Sequence, residues 1–114
     1  MRARIAEAGK NAGRADGEVR LLAVSKLQPE EKIRALFAAG QRDFGENYLQ
    51  EALHKQPLLA DLDICWHFIG PLQSNKTREV ARHFNWVQSV DREKLLRRLS
   101  GQRPKNLPAL NICL

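Results

Sequence analysis

Cysteine is scarce in this chain: 114 residues hold only Cys65 and Cys113. Each stands inside an apolar run, DICWHFIG and LNICL, and no CxxC or Cys/His ligand spacing accompanies them. That argues against a disulfide scaffold and against a zinc site, and fits a reducing cytoplasm. Long apolar stretches are missing as well. The N-terminus, MRARIAEAGKNAGRADGEVR, has no apolar core of the kind a secretory signal needs, and no later run reaches membrane-spanning length. A cytoplasmic chain with no membrane partner is therefore expected. Seven glycines and five prolines are too few for a collagen-like or low-complexity chain. No GxGxxG, Walker A, HExxH or GxSxG motif occurs.

What is present is the composition of a soluble globular protein, 43% hydrophobic and 28% charged, at about the length of one small domain. The net charge of +6 keeps nucleic acid open as a partner. The basic residues Arg92, Lys94, Arg97, Arg98, Arg103 and Lys105 stand against a single acid, Glu93. They have no interleaved aromatics and no binding motif, so a solvated outer helix face is the better reading of them.

Apolar patterning predicts alternating strands and helices. After a first helix around Arg2–Ala12, Val19–Ser25 (VRLLAVS) is a buried strand, too short and too continuously apolar for a helix. Pro29 opens a helix whose Ile33, Leu36 and Phe37 share one face, and Gly40 stops it. Arg42–Glu46 is a second strand. Asn47 is placed to cap the next helix, with Gln50 in capping-box position and Pro57 at its end. Ile64–Ile69 is strand three, Gly70–Asn75 a loop, and Thr77–Phe84 a helix. Trp86–Val90 is strand four, Asp91 caps a helix that Gly101 and Pro104 end, and Leu110–Leu114 begins strand five.

The first four strands end near Ser25, Glu46, Ile69 and Ser89, at intervals of about 20 residues. Regular βα units predict a parallel sheet with right-handed crossovers. An open doubly wound sheet would be satisfied by five strands, whereas a (β/α)₈ barrel needs eight and typically about 250 residues. A fifth strand without a following helix, and a first helix without a lead-in, favour a partial barrel of four to five units. Residues 1–114 are accordingly expected to form one incomplete domain. Two open sheet edges and uncovered apolar surface follow, inviting self-association. Leu21, Ala23, Leu110 and Ile112 are expected to be exposed by the missing cover.

Ligands bind at the carboxyl ends of strands in parallel α/β folds. Lys26 follows strand one directly. Held against apolar walls, its ammonium form would be disfavoured, and a neutral amine is what bonding to an aldehyde requires. A solvated strand-end lysine is the plainer alternative. In FGENY (Phe44–Tyr48), Glu46 and Asn47 offer polar groups at the same rim. In WHFIGPLQSNK (Trp66–Lys76), alternation sets Trp66 and Phe68 on one face and His67 and Ile69 on the other. His67 then points into the barrel, or is a satisfied core histidine. The turn before Lys76 feeds a helix N-terminus suited to an anion.

LLAVSK (Leu21–Lys26), FGENY and WHFIGPLQSNK together resemble the pyridoxal phosphate homeostasis protein family, whose members are similar to the N-terminal barrel of alanine racemase. The resemblance covers essentially the whole chain, at about half of the family's length. It implies that Lys26 holds pyridoxal 5′-phosphate as an internal aldimine, in a cytoplasmic protein that buffers or delivers the cofactor without established turnover. It places Asn47 and His67 near the cofactor, with Ser25 and Lys76 as neighbours. It also implies that phosphate-binding loops and the pyridine-nitrogen partner lie in the other half, so weak retention is expected of these 114 residues alone. A racemase or decarboxylase using the same lysine is the alternative. It would need a second acid or base, and Tyr48 is the only tyrosine. A basic nucleic-acid-binding module is the remaining one.

Overall fold

The structure, a computed structural model, describes residues 1–15, 17–88 and 90–114. Its elements are α1 (Arg2–Asn11), β1 (Ala23–Val24), α2 (Glu30–Ala38), β2 (Asp43–Glu46), α3 (Leu49–Leu58), β3 (Cys65–Phe68), a 3₁₀ turn (Ser74–Lys76), α4 (Thr77–His83), β4 (Trp86–Val87), α5 (Glu93–Gln102) and β5 (Asn111–Ile112). The five strands form one parallel sheet in chain order, β1-β2-β3-β4-β5. Strand order never reverses, so right-handed crossovers put every connecting helix on the same side. This is the winding of a barrel segment, as the regular βα spacing predicts, and not of a doubly wound sheet.

Register shows which face the helices cover. Phe44 pairs with Trp66, and Phe68 with Val87, placing all four on one face. They form a single core with Ile33 of α2, Leu49 and Ala52 of α3, Val80 and Ala81 of α4, and Leu95 and Leu99 of α5. Phe84 closes the core with an edge-on contact to Phe68, ring centroids 5.3 Å apart. The opposite face runs Val24, Gly45, His67, Trp86 across neighbouring strands. The predicted split of Trp66 and Phe68 from His67 holds.

Several expectations are corrected. Strand one is two residues long, not the seven of Val19–Ser25, because its ladder to β2 runs over Ala23 and Val24 only. Strand five shortens from Leu110–Leu114 to Asn111–Ile112, the residues that pair with β4. Strand four ends at Val87, and Ser89 lies outside the described residues. Leu21, Ala23, Leu110 and Ile112 are half-buried, and the last three pack on the core. They lean toward the helices, and it is Val24, 53% exposed, that faces the uncovered side. Asn47 does not cap α3: Tyr48 takes that position without a side-chain bond. Pro57 lies inside the last turn of α3 and Gly101 inside α5, and Arg92 rather than Asp91 precedes α5. Gly40 does end α2, at φ 104°, a conformation glycine adopts without a Cβ penalty. No helix among the described residues is long and apolar enough to cross a membrane.

The basic stretch is partly consumed by the fold. Arg103 donates to the carbonyls of Ala81 and Phe84 at 2.7 and 2.6 Å, and Arg98 to that of Ser74 at 3.0 Å. Arg97 pairs with Glu93 one helical turn away.

Candidate functional site

Lys26 leaves the carboxyl end of β1 at the first position of a tight turn. The turn is closed by the Gln28 N–H donating to the Ser25 carbonyl at 3.1 Å. The lysine side chain is exposed, so the expected apolar walls are not there. Among the described residues no hydrogen bond or ion pair engages its amine. Leu27, next in the turn, has φ 60°, the left-handed region that a leucine enters at a cost of about 1–2 kcal/mol.

What holds the turn lies on the helix side of the sheet. Lys55 of α3 donates to the Ser25 carbonyl at 2.7 Å and to the Glu46 carboxylate at 3.0 and 3.2 Å. The Ser25 hydroxyl donates to Glu46 as well. Glu51, one turn before Lys55 on the same helix, pairs with it at 3.4 Å and accepts the Leu27 N–H at 2.9 Å on both oxygens. Ser25, Glu46 and Lys55 are all buried, Glu46 completely. Burial pushes the Glu46 carboxyl up from its ordinary value, outweighing Ser25 and Lys55. Burial acts upward on Glu51 too, but the Leu27 N–H and Lys55 outweigh it and hold the group down. Ser25 and Glu46 therefore face α3, beneath the turn that carries Lys26.

Asn47 and Lys76 do come together. With Tyr48, Phe68, Pro71 and Gln73 they line a hollow of about 310 Å³ beside the carboxyl ends of β2 and β3. The Asn47 Oδ1 is buried and, among the described residues, has no hydrogen-bond partner. Gly70 makes the approach possible: a Cβ on it would stand 2.5 Å from the Asn47 carbonyl oxygen. Lys26 does not line this hollow. A larger one of about 760 Å³, between α1 and the amino ends of β1 and β2, lies at the other end of the strands. It is lined by Arg2, Lys10 and Arg14 and holds none of the predicted residues.

His67 occupies the uncovered face, one row below the rim. Its Nε2 is 3.0 Å from Asp43 Oδ1, its Nδ1 is 3.1 Å from the Gln88 amide nitrogen, and its ring stacks on Trp86 at 5.5 Å. A proton on Nε2 satisfies both partners, donating to Asp43 and accepting from Gln88. Arg20 holds Asp43 from the other side with bonds of 2.7–3.1 Å. Burial acts upward on Asp43, but His67 and Arg20 outweigh it and keep its carboxyl low. Cys65 lies 3.7 Å from the same ring nitrogen, and burial, with the Asp43 carboxylate alongside, pushes its thiol up to about 11. Asp43, Cys65 and His67 lie close enough to hold a metal ion. Arg20 occupies the carboxylate and the thiol is held neutral, so the donor set is poor for one.

Sequence reading missed Arg20, Asp43, Glu51, Lys55 and Gln88. Only Glu51 and Lys55 carried a local signal, an i, i+4 acid–base pair; the others meet through the sheet.

No family model matches the chain. Among curated relatives, the pyridoxal phosphate homeostasis protein of Pseudomonas aeruginosa is 64% identical over 112 residues, covering 98% of this chain and 49% of the relative. That of Escherichia coli K12 is 47% identical, covering 100% and 50%. Among solved structures, PipY of Synechococcus elongatus with PLP bound superposes with a TM-score of 0.73 at 48% identity, over 86% of this chain and 47% of PipY. An unknown protein from Bifidobacterium adolescentis gives 0.76 at 36% identity, over 89% and 46%. The chain spans about half the length of the curated relatives it matches. Along nearly all of its own length, the chain is similar in sequence to the pyridoxal phosphate homeostasis proteins, at 47–64% identity.

Proposed function

We propose that this chain binds pyridoxal 5′-phosphate and serves the intracellular balance of that cofactor, with Lys26 as the residue that bonds its aldehyde. The carrying observation is an exposed, unengaged amine at the carboxyl end of a parallel strand, in a chain 48% identical to PipY, which was solved with PLP bound. When bound, the cofactor supplies an electrophilic aldehyde and an electron-withdrawing ring. Lys26 would hold the cofactor through a bond from its amine nitrogen to the aldehyde carbon, the aldehyde oxygen leaving as water.

The other residues fit the group to different degrees. The buried Asn47 Oδ1 lacks a donor, and the cofactor's ring hydroxyl is one. Lys76, at the same hollow, offers a cation to an anionic group. His67 keeps both ring nitrogens engaged by Asp43 and Gln88, so it shapes the floor rather than shuttling a proton. Ser25 acts from below, through Glu46 and Lys55. A role in holding the cofactor is favoured over turnover, because Tyr48 is 49% exposed at the start of α3 with nothing to fix it as an acid or base. Residues 1–114 form one incomplete domain in this account, the remaining phosphate contacts lying in the half of its relatives' length that the chain does not span. Self-association through the open β1 and β5 edges, and a cytoplasmic location, belong to the same proposal.

The test is addition of excess PLP followed by borohydride, which traps even weakly held cofactor as a secondary amine. Lys26→Ala should abolish the selective adduct, and Lys76→Ala should leave it in place. An adduct undiminished in Lys26→Ala overturns the assignment.

A further inference from the structure

The Lys26 turn is gripped from both ends by one helix. On the Ser25 side, Lys55 donates to the backbone carbonyl, and the serine hydroxyl donates to Glu46. On the Leu27 side, the backbone N–H is taken by both oxygens of Glu51. Lys55 ties the two grips together by pairing with Glu46 and Glu51. Between them, Leu27 is held at φ 60° although its side chain is 73% exposed and finds little packing to repay the strain. A leucine persists in that region only where its surroundings over-determine it. The one strained non-glycine residue among the described residues is thus adjacent to the lysine proposed to bond the cofactor's aldehyde.

We infer that Glu51 is a positioning residue for Lys26: its carboxylate, braced by Lys55, holds the Leu27 N–H and so fixes the turn that presents the amine. This rests on the proposed role of Lys26. Without the clamp, Leu27 relaxes to negative φ, the turn reopens, and Lys26 becomes an ordinary surface lysine like Lys32, also exposed. As an acid in the first turn of α3, Glu51 is also favourably aligned with the helix dipole. The bifurcated bond it accepts from a backbone N–H outside its own helix is what separates it from that role.

The test has two readouts on the full chain. The first needs no cofactor: exchange of the Leu27 amide proton followed by NMR. Leu27 should be protected in the unaltered chain and exchange about tenfold faster or more in Glu51→Ala, the scale of one lost charge-assisted hydrogen bond. The second is the ratio of borohydride-trapped PLP on Lys26 to that on Lys32, read by peptide mass spectrometry within the same molecules. It should fall about tenfold in Glu51→Ala and less in Glu51→Gln, which keeps an acceptor but loses the negative charge that pairs with Lys55. Leu27→Gly added to Glu51→Ala should restore part of the ratio, because glycine takes positive φ without the Cβ penalty. A merely structural Glu51 predicts no such rescue. Should Glu51→Ala unfold, Glu51→Gln carries both readouts. A ratio that favours Lys26 and stays unchanged in the Glu51 variants overturns the clamp and spares Lys26. A ratio near one in the unaltered chain overturns the Lys26 assignment and the clamp's purpose together.

Discussion

Asp43 and Glu46 stand three residues apart on β2, both buried, and face opposite sides of the sheet. Asp43 looks toward the uncovered face, where Arg20 reaches it from a largely solvated position and His67 completes its bonding. Glu46 looks toward α3, completely enclosed, with Lys55 as its one cation among the described residues. The outcome differs in sign. Asp43 titrates below its ordinary value because two donors outweigh burial, whereas Glu46 titrates above it because burial outweighs one lysine and one hydroxyl. The same carboxylate chemistry on one strand serves two purposes. On the open face it orients a histidine; on the covered face it foots a turn, at a standing electrostatic cost.

The largest effect should come from taking the cation away on the covered side. Lys55→Ala leaves Glu46 enclosed without a counter-charge and should cost about 3–5 kcal/mol in urea unfolding. Adding Glu46→Gln should recover much of that loss, since the two changes act on one network. The deficit of Lys55→Ala should also shrink toward acid, because the unpaired carboxylate can take up a proton. A loss below about 1 kcal/mol would show that the ion pair is not what holds the two elements together.

A smaller effect separates the faces by pH. Asp43 and Glu51 have folded values below their ordinary 3.8 and 4.5, so the stability they confer is present above those ordinary values and is lost as pH falls through the folded ones. Glu46 works the other way: its folded value lies above 4.5, so it erodes stability as pH rises from there. Asp43→Asn should therefore flatten the acid limb of a thermal-midpoint profile below about pH 4. An unchanged acid limb would show that Arg20 and His67 do not hold that carboxylate down.

The smallest effect is chemical. With its thiol pushed up to about 11 from 9.0, Cys65 carries on the order of a hundredfold less thiolate at pH 8 than an ordinary cysteine. Iodoacetamide should modify it correspondingly slowly, and Asp43→Asn, which removes the neighbouring charge, should speed it up. Ordinary reactivity in the folded chain would mean that Cys65 does not share the Asp43 cluster.

The comparison also explains what could be seen in the chain beforehand. The helix-facing residues Phe44, Trp66, Phe68, Val80, Leu95 and Leu99 repeat with the period of their elements, so sheet order and the split of His67 from Trp66 and Phe68 were legible. Strand lengths at β1, β4 and β5 were not, because apolar runs do not show where the ladder to a neighbour ends. Asn47 carries the sequence of a cap, yet its backbone lies against Gly70, a contact made 23 residues away. Lys55 sits in a polar helical stretch, LQEALHKQ, where nothing marks it as buried; its partner Glu46 and the Ser25 carbonyl reach it only after β1, β2 and α3 have packed. Lys26 was legible by position and by motif, whereas the grip on its turn was legible only in part, through the Glu51–Lys55 spacing.

The most direct measurement is the site of attachment. The chain is incubated with PLP, reduced with borohydride, digested, and the modified lysine located by mass spectrometry. The account predicts the adduct on Lys26 in clear excess over every other lysine. An adduct centred on Lys76 or Lys32, or spread evenly over the surface lysines, would contradict it.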